Sequence, residues 1–209
     1  DLAGNAGDAV IATTNSSSVF YDRTVPTLSA VTMASNNANT AYAKEGDIVT
    51  ISFTTSENIQ DTDDASPPAA TIGGETATVS GSGTSWSAAY TMQDGDTEGD
   101  LAFTLDFTDI AGNSGSRVTT LTSGSLVKYD ETIPTLTTVD IASNNSNGAT
   151  LAKVGDVITV SITASENIQT PTVTISGEAA TIATGNNGES VFTATYTMQS
   201  SDNTGTIPF

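Results

Sequence analysis

The residues of this sequence that could do chemistry are carboxylates at turns, and they recur. Asp22 in Tyr21-Asp22-Arg23-Thr24-Val25-Pro26-Thr27-Leu28 returns as Asp130 in Tyr129-Asp130-Glu131-Thr132-Ile133-Pro134-Thr135-Leu136. Glu57 in Ser56-Glu57-Asn58-Ile59-Gln60 returns as Glu166 in Ser165-Glu166-Asn167-Ile168-Gln169. Asp109 and Asn113 bound Asp109-Ile110-Ala111-Gly112-Asn113, which repeats the opening Asp1-Leu2-Ala3-Gly4-Asn5. The chain has no His and no Cys, so any metal would meet oxygen ligands alone, which points to Ca²⁺ rather than zinc or copper. The same lack removes the usual nucleophile and base pairs. A carboxylate pair could still act as acid and base, but a catalytic site is rarely duplicated in tandem, and the chain is not expected to be an enzyme.

Each motif also has a purely structural reading. The Asp of Asp-x-Ala-Gly-Asn can cap its own turn, with Gly112 and Asn113 accepting left-handed backbone. Asp22 and Asp130 can bond the hydroxyls of Thr24 and Thr132. The run Asp94-Gly95-Asp96-Thr97-Glu98-Gly99-Asp100 alternates acids like a calcium loop, yet its counterpart Gln199–Gly205 keeps one acid, so a solvated turn is expected.

These motifs repeat with a period of about 108 residues, and a repeat of that kind decides the architecture. Strands follow from alternation. Val49, Ile51 and Phe53 alternate with polar residues, as do Ile158, Val160 and Ile162. Trp86, Ala88, Tyr90 and Met92 form a second stripe, matched by Phe192, Ala194, Tyr196 and Met198, and this shared phase places Trp86 and Tyr90 in the core rather than on a sugar-stacking surface. Leu101, Phe103, Leu105 and Phe107 form a third. Strands are expected over 27–34, up to Thr55, around 70–72 and 76–80, and over 85–92, 101–108 and 118–128. About seven short strands in about 100 residues, each with one apolar face, predict an all-β fold of tandem immunoglobulin-like antiparallel sandwiches. Residues 23–130 read as one complete repeat. Residues 131–209 read as a second without its FG loop and G strand, and residues 1–22 as the FG loop and G strand of a preceding or neighbouring repeat. Two explanations stand: a crop from a continuous array, or residues 1–22 of one molecule completing another by strand addition. In such a sandwich the linker, the BC loop and the FG loop share a pole, which brings Asp22, Glu57, Asp109 and Asn113 together, and likewise Asp130 with Glu166, as candidate Ca²⁺ ligands between domains. Asp61, Asp63 and Asp64, in a loop found only in the first copy, fall at the same pole.

The net charge of −19, with only five Lys and Arg, excludes the basic footprint that nucleic acid needs. No apolar run has the length of a membrane span. The four motifs Tyr-Asp-x-Thr-x-Pro-Thr-Leu, Ala-Lys-x-Gly-Asp, Ser-Glu-Asn-Ile and Asp-x-Ala-Gly-Asn, in that order, resemble the tandem bacterial immunoglobulin-like (Big-type) repeats of very large secreted surface and adhesin-like proteins. The resemblance implies a non-catalytic extender on a bacterial cell surface or outside the cell. Its partners would be adjacent repeats or copies of itself, and some such arrays stiffen their linkers with Ca²⁺. A filament or sheath subunit assembled by strand donation is the second expectation. A glycan-binding module is the third, and it requires an exposed Trp86.

Overall fold

A computed structural model describes residues 2–209, which form two compact units, the first ending at Glu131 and the second spanning 132–209. The fold is all-β and sandwich-like. Among the described residues there is no helix, hence none long and apolar enough to cross a membrane.

The first unit contains β1 (Leu28–Ser35), β2 (Tyr42–Ala43), β3 (Ile48–Thr55), β4 (Ala69–Ile72), β5 (Glu75–Ser82), β6 (Ser85–Thr91), β7 (Gly99–Asp100), β8 (Phe103–Asp106) and β9 (Lys128–Tyr129). Six strands run in the order β1-β3-β6-β5-β4-β8, all neighbours antiparallel. The long strands alternate as the side-chain period of two requires. Thus β3 buries Val49, Ile51, Phe53 and Thr55 and exposes or half-exposes the residues between them. Phe53 faces Trp86 across the ladder, and Ile51 faces Ala88. The first residues of β5 pair with β4 and the later ones, from Thr78, with β6, so this strand changes partners along its length. Gly81 lets β5 pass close to β6, because a Cβ there would collide with the Ser85 carbonyl and the Trp86 backbone. The core joins Val49, Ile51, Phe53 and Trp86 to Ile72, Phe103 and Leu105 from the other end of the ladder.

Strand G departs from expectation. A continuous strand over 118–128 does not form. Val118 makes one bridge to Leu105, Thr122 bonds Val31, and the backbone is extended in a ladder again only at β9. The break falls at Ser123-Gly124-Ser125, where Gly124 takes φ 82°, a turn conformation that ends pairing. The short strands β2 and β7 were not expected. They flank β9, which lies parallel to β2 and antiparallel to β7.

The second unit contains β10 (Leu136–Ser143), β11 (Val157–Ile168), β12 (Thr174–Ile175), β13 (Glu178–Ala179), β14 (Thr181–Thr184) and β15 (Glu189–Thr197). Four of these form the sheet β10-β11-β15-β14, and β12 pairs with β13. The register of β10 on β11 reproduces that of β1 on β3, including the bulge after the leading Leu. Phe192 takes the place of Trp86, over Ile158, Val160, Ile162, Ile175 and Met198.

The Ala-Lys-x-Gly-Asp motif is a turn lock in both units. Asp156 accepts from the Lys153 amide at 2.8 Å, the Asn145 side chain at 2.6 Å and Lys153 Nζ at 2.7 Å. Asp47 accepts likewise from Asn37 and the Lys44 amide. The Lys153 bonds, with that of Asn145, hold the buried Asp156 carboxyl below the usual carboxylate range. A depressed carboxylate contributes stability that is present above its unfolded value, about 3.9, and is lost as pH falls through its folded value. Melting of the second unit should therefore fall on acidification below about pH 4. Asp156→Asn should flatten that acid limb. An unchanged limb would show that this turn does not report on acid unfolding.

Candidate metal centre

The cluster is built from three turns that backbone bonds tie together. Residue 22 precedes β1, and its carboxylate caps the chain by accepting from the Thr24 amide at 2.9 Å. Glu57 follows β3. There the Ser56 amide bonds the Thr27 carbonyl, the Ser56 hydroxyl accepts from the Thr27 amide, and the buried Thr55 hydroxyl donates to the Glu57 carbonyl at 2.6 Å. Asp109 follows β8, and a bridge between Ile59 and Asp109, with the Gln60 amide bonding the Thr108 carbonyl, pins the second turn to the third.

Asp22, Glu57 and Asp109 each place a carboxylate oxygen within 4.8 Å of the others. The Asp109 side chain is 1% exposed. It accepts from the Asn113 amide and from Asn113 Nδ2, both at 2.7 Å. Burial alone would raise its pKa, but the bonds from Asn113 and from the Gly112 and Ala111 amides outweigh that and hold the carboxyl below the usual range. Glu57 goes the other way. Burial, then the charges of Asp22 and Asp109, push its carboxyl up. Its Oε1 is enclosed and has no hydrogen-bond partner. A buried oxygen without a partner is costly, and a cation would relieve both the orphaned atom and the mutual repulsion. Three carboxylates and no His or Cys suit a hard cation such as Ca²⁺.

The expected residues separate into groups. Asn113 acts through its nitrogen: it donates to Asp109 and, at 3.4 Å, to the Asp22 carbonyl, so it orients the cluster. Gly112 takes φ 97°, whereas Asn113 does not adopt the left-handed backbone expected of it. Asp22 bonds the Thr24 amide rather than its hydroxyl, because the carboxylate reaches the backbone two residues on with less reorganisation. The inserted Asp61 and Asp64 close a turn on each other, and neither they nor Asp63 belong to the three-carboxylate group among the described residues. Asp130 lies in the first unit and Glu166 in the second. Glu166 repeats the signature of Glu57, with an enclosed Oε1 and no partner. Asp1 lies outside the described residues. What the sequence did not reveal is the pin between Ile59 and Asp109, since Ile168 in the same motif pairs with Glu189 instead.

The acidic run 94–100 is a structural turn. Asp96 accepts from the Gln93 amide and the Tyr90 hydroxyl, and Asp202 does the same with Gln199 and Tyr196. The one acid kept by the second copy is the one that caps. Trp86 is buried and donates to the Gly83 carbonyl, so it offers no stacking face.

No protein-family model matches the chain, and no curated protein matches it.

Proposed function

We propose that the chain is a non-catalytic extender made of immunoglobulin-like repeats, belonging to a bacterial extracellular or cell-surface protein and stiffened by Ca²⁺ where its turns cluster acids. The observation that carries this reading is the doubling of one unit with its lock residues intact. β1, β3 and β6 recur as β10, β11 and β15 in the same pairings, and Asp47 and Asp96 recur as Asp156 and Asp202. Duplicating a fold in series adds length. It adds no convergent cleft of nucleophile, base and oxyanion donors. A net charge of −19 keeps copies of the chain apart and attracts cations to its surface.

Small-angle scattering tests the extension. An eight-residue strand such as β1 spans about 27 Å, so units joined in series should scatter as a body markedly longer than it is wide. A compact, near-spherical profile would refute the reading.

A further inference from the structure

The backbone ladder that holds β9 reaches one residue past it. The Lys128 amide bonds the Ala41 carbonyl and the Asp130 amide bonds the Ala43 carbonyl, both at 2.9 Å. At Glu131 side chains take over. Its amide donates to Glu98 Oε1 at 2.9 Å. Its own Oε2 accepts from the Gly95 amide at 3.2 Å and from the Tyr129 hydroxyl at 2.8 Å. The Tyr129 ring is wholly buried, so one end of this attachment is anchored in the core. The other end is the turn at 93–96, which Asp96 closes through the Gln93 amide and the Tyr90 hydroxyl. Glu131 is therefore tied to two stiff partners.

The turn does not need Glu98 for itself. Asp202 closes the corresponding turn of the second unit in the same way, and the residue that corresponds to Glu98 there is Thr204. The counterpart of Glu131 in the repeat is Arg23. Both acids thus belong to this junction and not to the repeat. Like charges placed near one another cost energy unless donors meet them, and amide protons meet both carboxylates here. Downstream, the second unit takes hold at Thr135, whose amide bonds the Ser165 hydroxyl and whose carbonyl accepts from the Ser165 amide. Residues 132–134 lie between the two grips. Pro134 fixes its own φ and disfavours the helical region for Ile133.

We propose that Glu98 and Glu131 form a clamp that fixes the direction in which the chain leaves the first unit and confines bending between the units to residues 132–134. A hydrogen bond to an ionised acceptor holds an amide more strongly than a neutral one. Two carboxylates therefore do at an exposed chain exit what a ladder does inside the sheet. Without them the last backbone bond of the first unit would be that of Asp130, and the free segment would begin at Glu131. The clamp needs no metal, and it does not rest on the extender reading.

The test uses the full 209-residue protein in chelator, with backbone order parameters and amide exchange read by NMR. In wild type the Asp130 and Glu131 amides should be as ordered as the strands, with order parameters of about 0.85. The Glu131 amide should exchange on the order of tenfold more slowly than in an unstructured peptide. Glu98→Ala, at an exposed position, removes its acceptor and should abolish that protection. Glu98→Gln keeps an acceptor oxygen and should retain most of it. Glu98→Ala with Glu131→Ala should drop the order parameter at residue 131 below about 0.6 while the Asp130 amide, on the Ala43 carbonyl, stays ordered. A wild-type Glu131 amide that exchanges as in an unstructured peptide overturns the proposal. So does a double variant in which residue 131 is as ordered as in wild type.

Discussion

Tyr129→Ala should lower the melting temperature of the first unit by about 10 °C or more. The Tyr129 side chain is wholly buried, and truncating a buried aromatic costs about 3–5 kcal/mol through lost transfer and the cavity left behind. Its position makes the loss hard to absorb. β9 is two residues long and holds β2 and β7 together, so the ring and two short ladders stand or fall as one. The hydroxyl lies 2.8 Å from both the Gln93 carbonyl and Glu131 Oε2. Burial, then the Glu131 carboxylate, raise its pKa well above the ordinary value near 10. A raised acid of this kind contributes stability that is fully present below the unfolded pKa and is lost only as pH rises through the folded one. Tyr129→Phe should therefore cost about 1–2 kcal/mol, by a constant amount between pH 5 and 9. Calorimetry of the two variants separates ring from hydroxyl. If Tyr129→Ala melts within a degree or two of wild type, the Tyr129 ring does not hold β9 and its two ladders in place.

Much of this was legible in the residues, for a physical reason. A two-residue period of large apolar side chains against Ser and Thr determines which way a strand faces, and β3, β6 and β8 follow it. The acid turns were legible because a carboxylate capping its own loop needs a fixed spacing to Gly or Asn, as Asp109 has to Gly112 and Asn113. Strand G was misread because its ladder is broken. Thr122 satisfies Val31 through a side chain, which no alternation records. β2 and β7 are too short to show a period at all and exist only because β9 lies between them. The orphaned oxygen of Glu57 was not legible either. No spacing or alternation records whether one side-chain oxygen ends up enclosed, and the same holds for Glu166 in the second unit.

That oxygen makes Glu57→Gln behave in opposite ways with and without metal. In chelator, the half-buried Glu57 holds one enclosed carboxylate oxygen near Asp22 and Asp109, and its folded pKa is raised by burial and by those two charges. The native state then holds its proton more tightly than the unfolded chain. This group's contribution to stability therefore falls as pH rises from the unfolded value, about 4.3, through the raised folded one. Glu57→Gln removes that penalty, so in chelator near neutral pH the variant should melt above wild type. In Ca²⁺ the order should reverse. On the proposed Ca²⁺ reading, wild type binds the ion in the folded state alone and should gain about 10 °C at a free concentration a hundred times its Kd. The variant loses one charged ligand and keeps little of that gain. Asp109 cannot serve as this probe, because its carboxylate also satisfies Asn113 and the turn amides and its removal would disrupt the loop with or without metal. Glu57 has no such second duty for Oε1, so a reversal of rank between chelator and Ca²⁺ isolates the ion. If Glu57→Gln keeps the same rank in both buffers, the cluster is a set of capped turns and Ca²⁺ has no place in it.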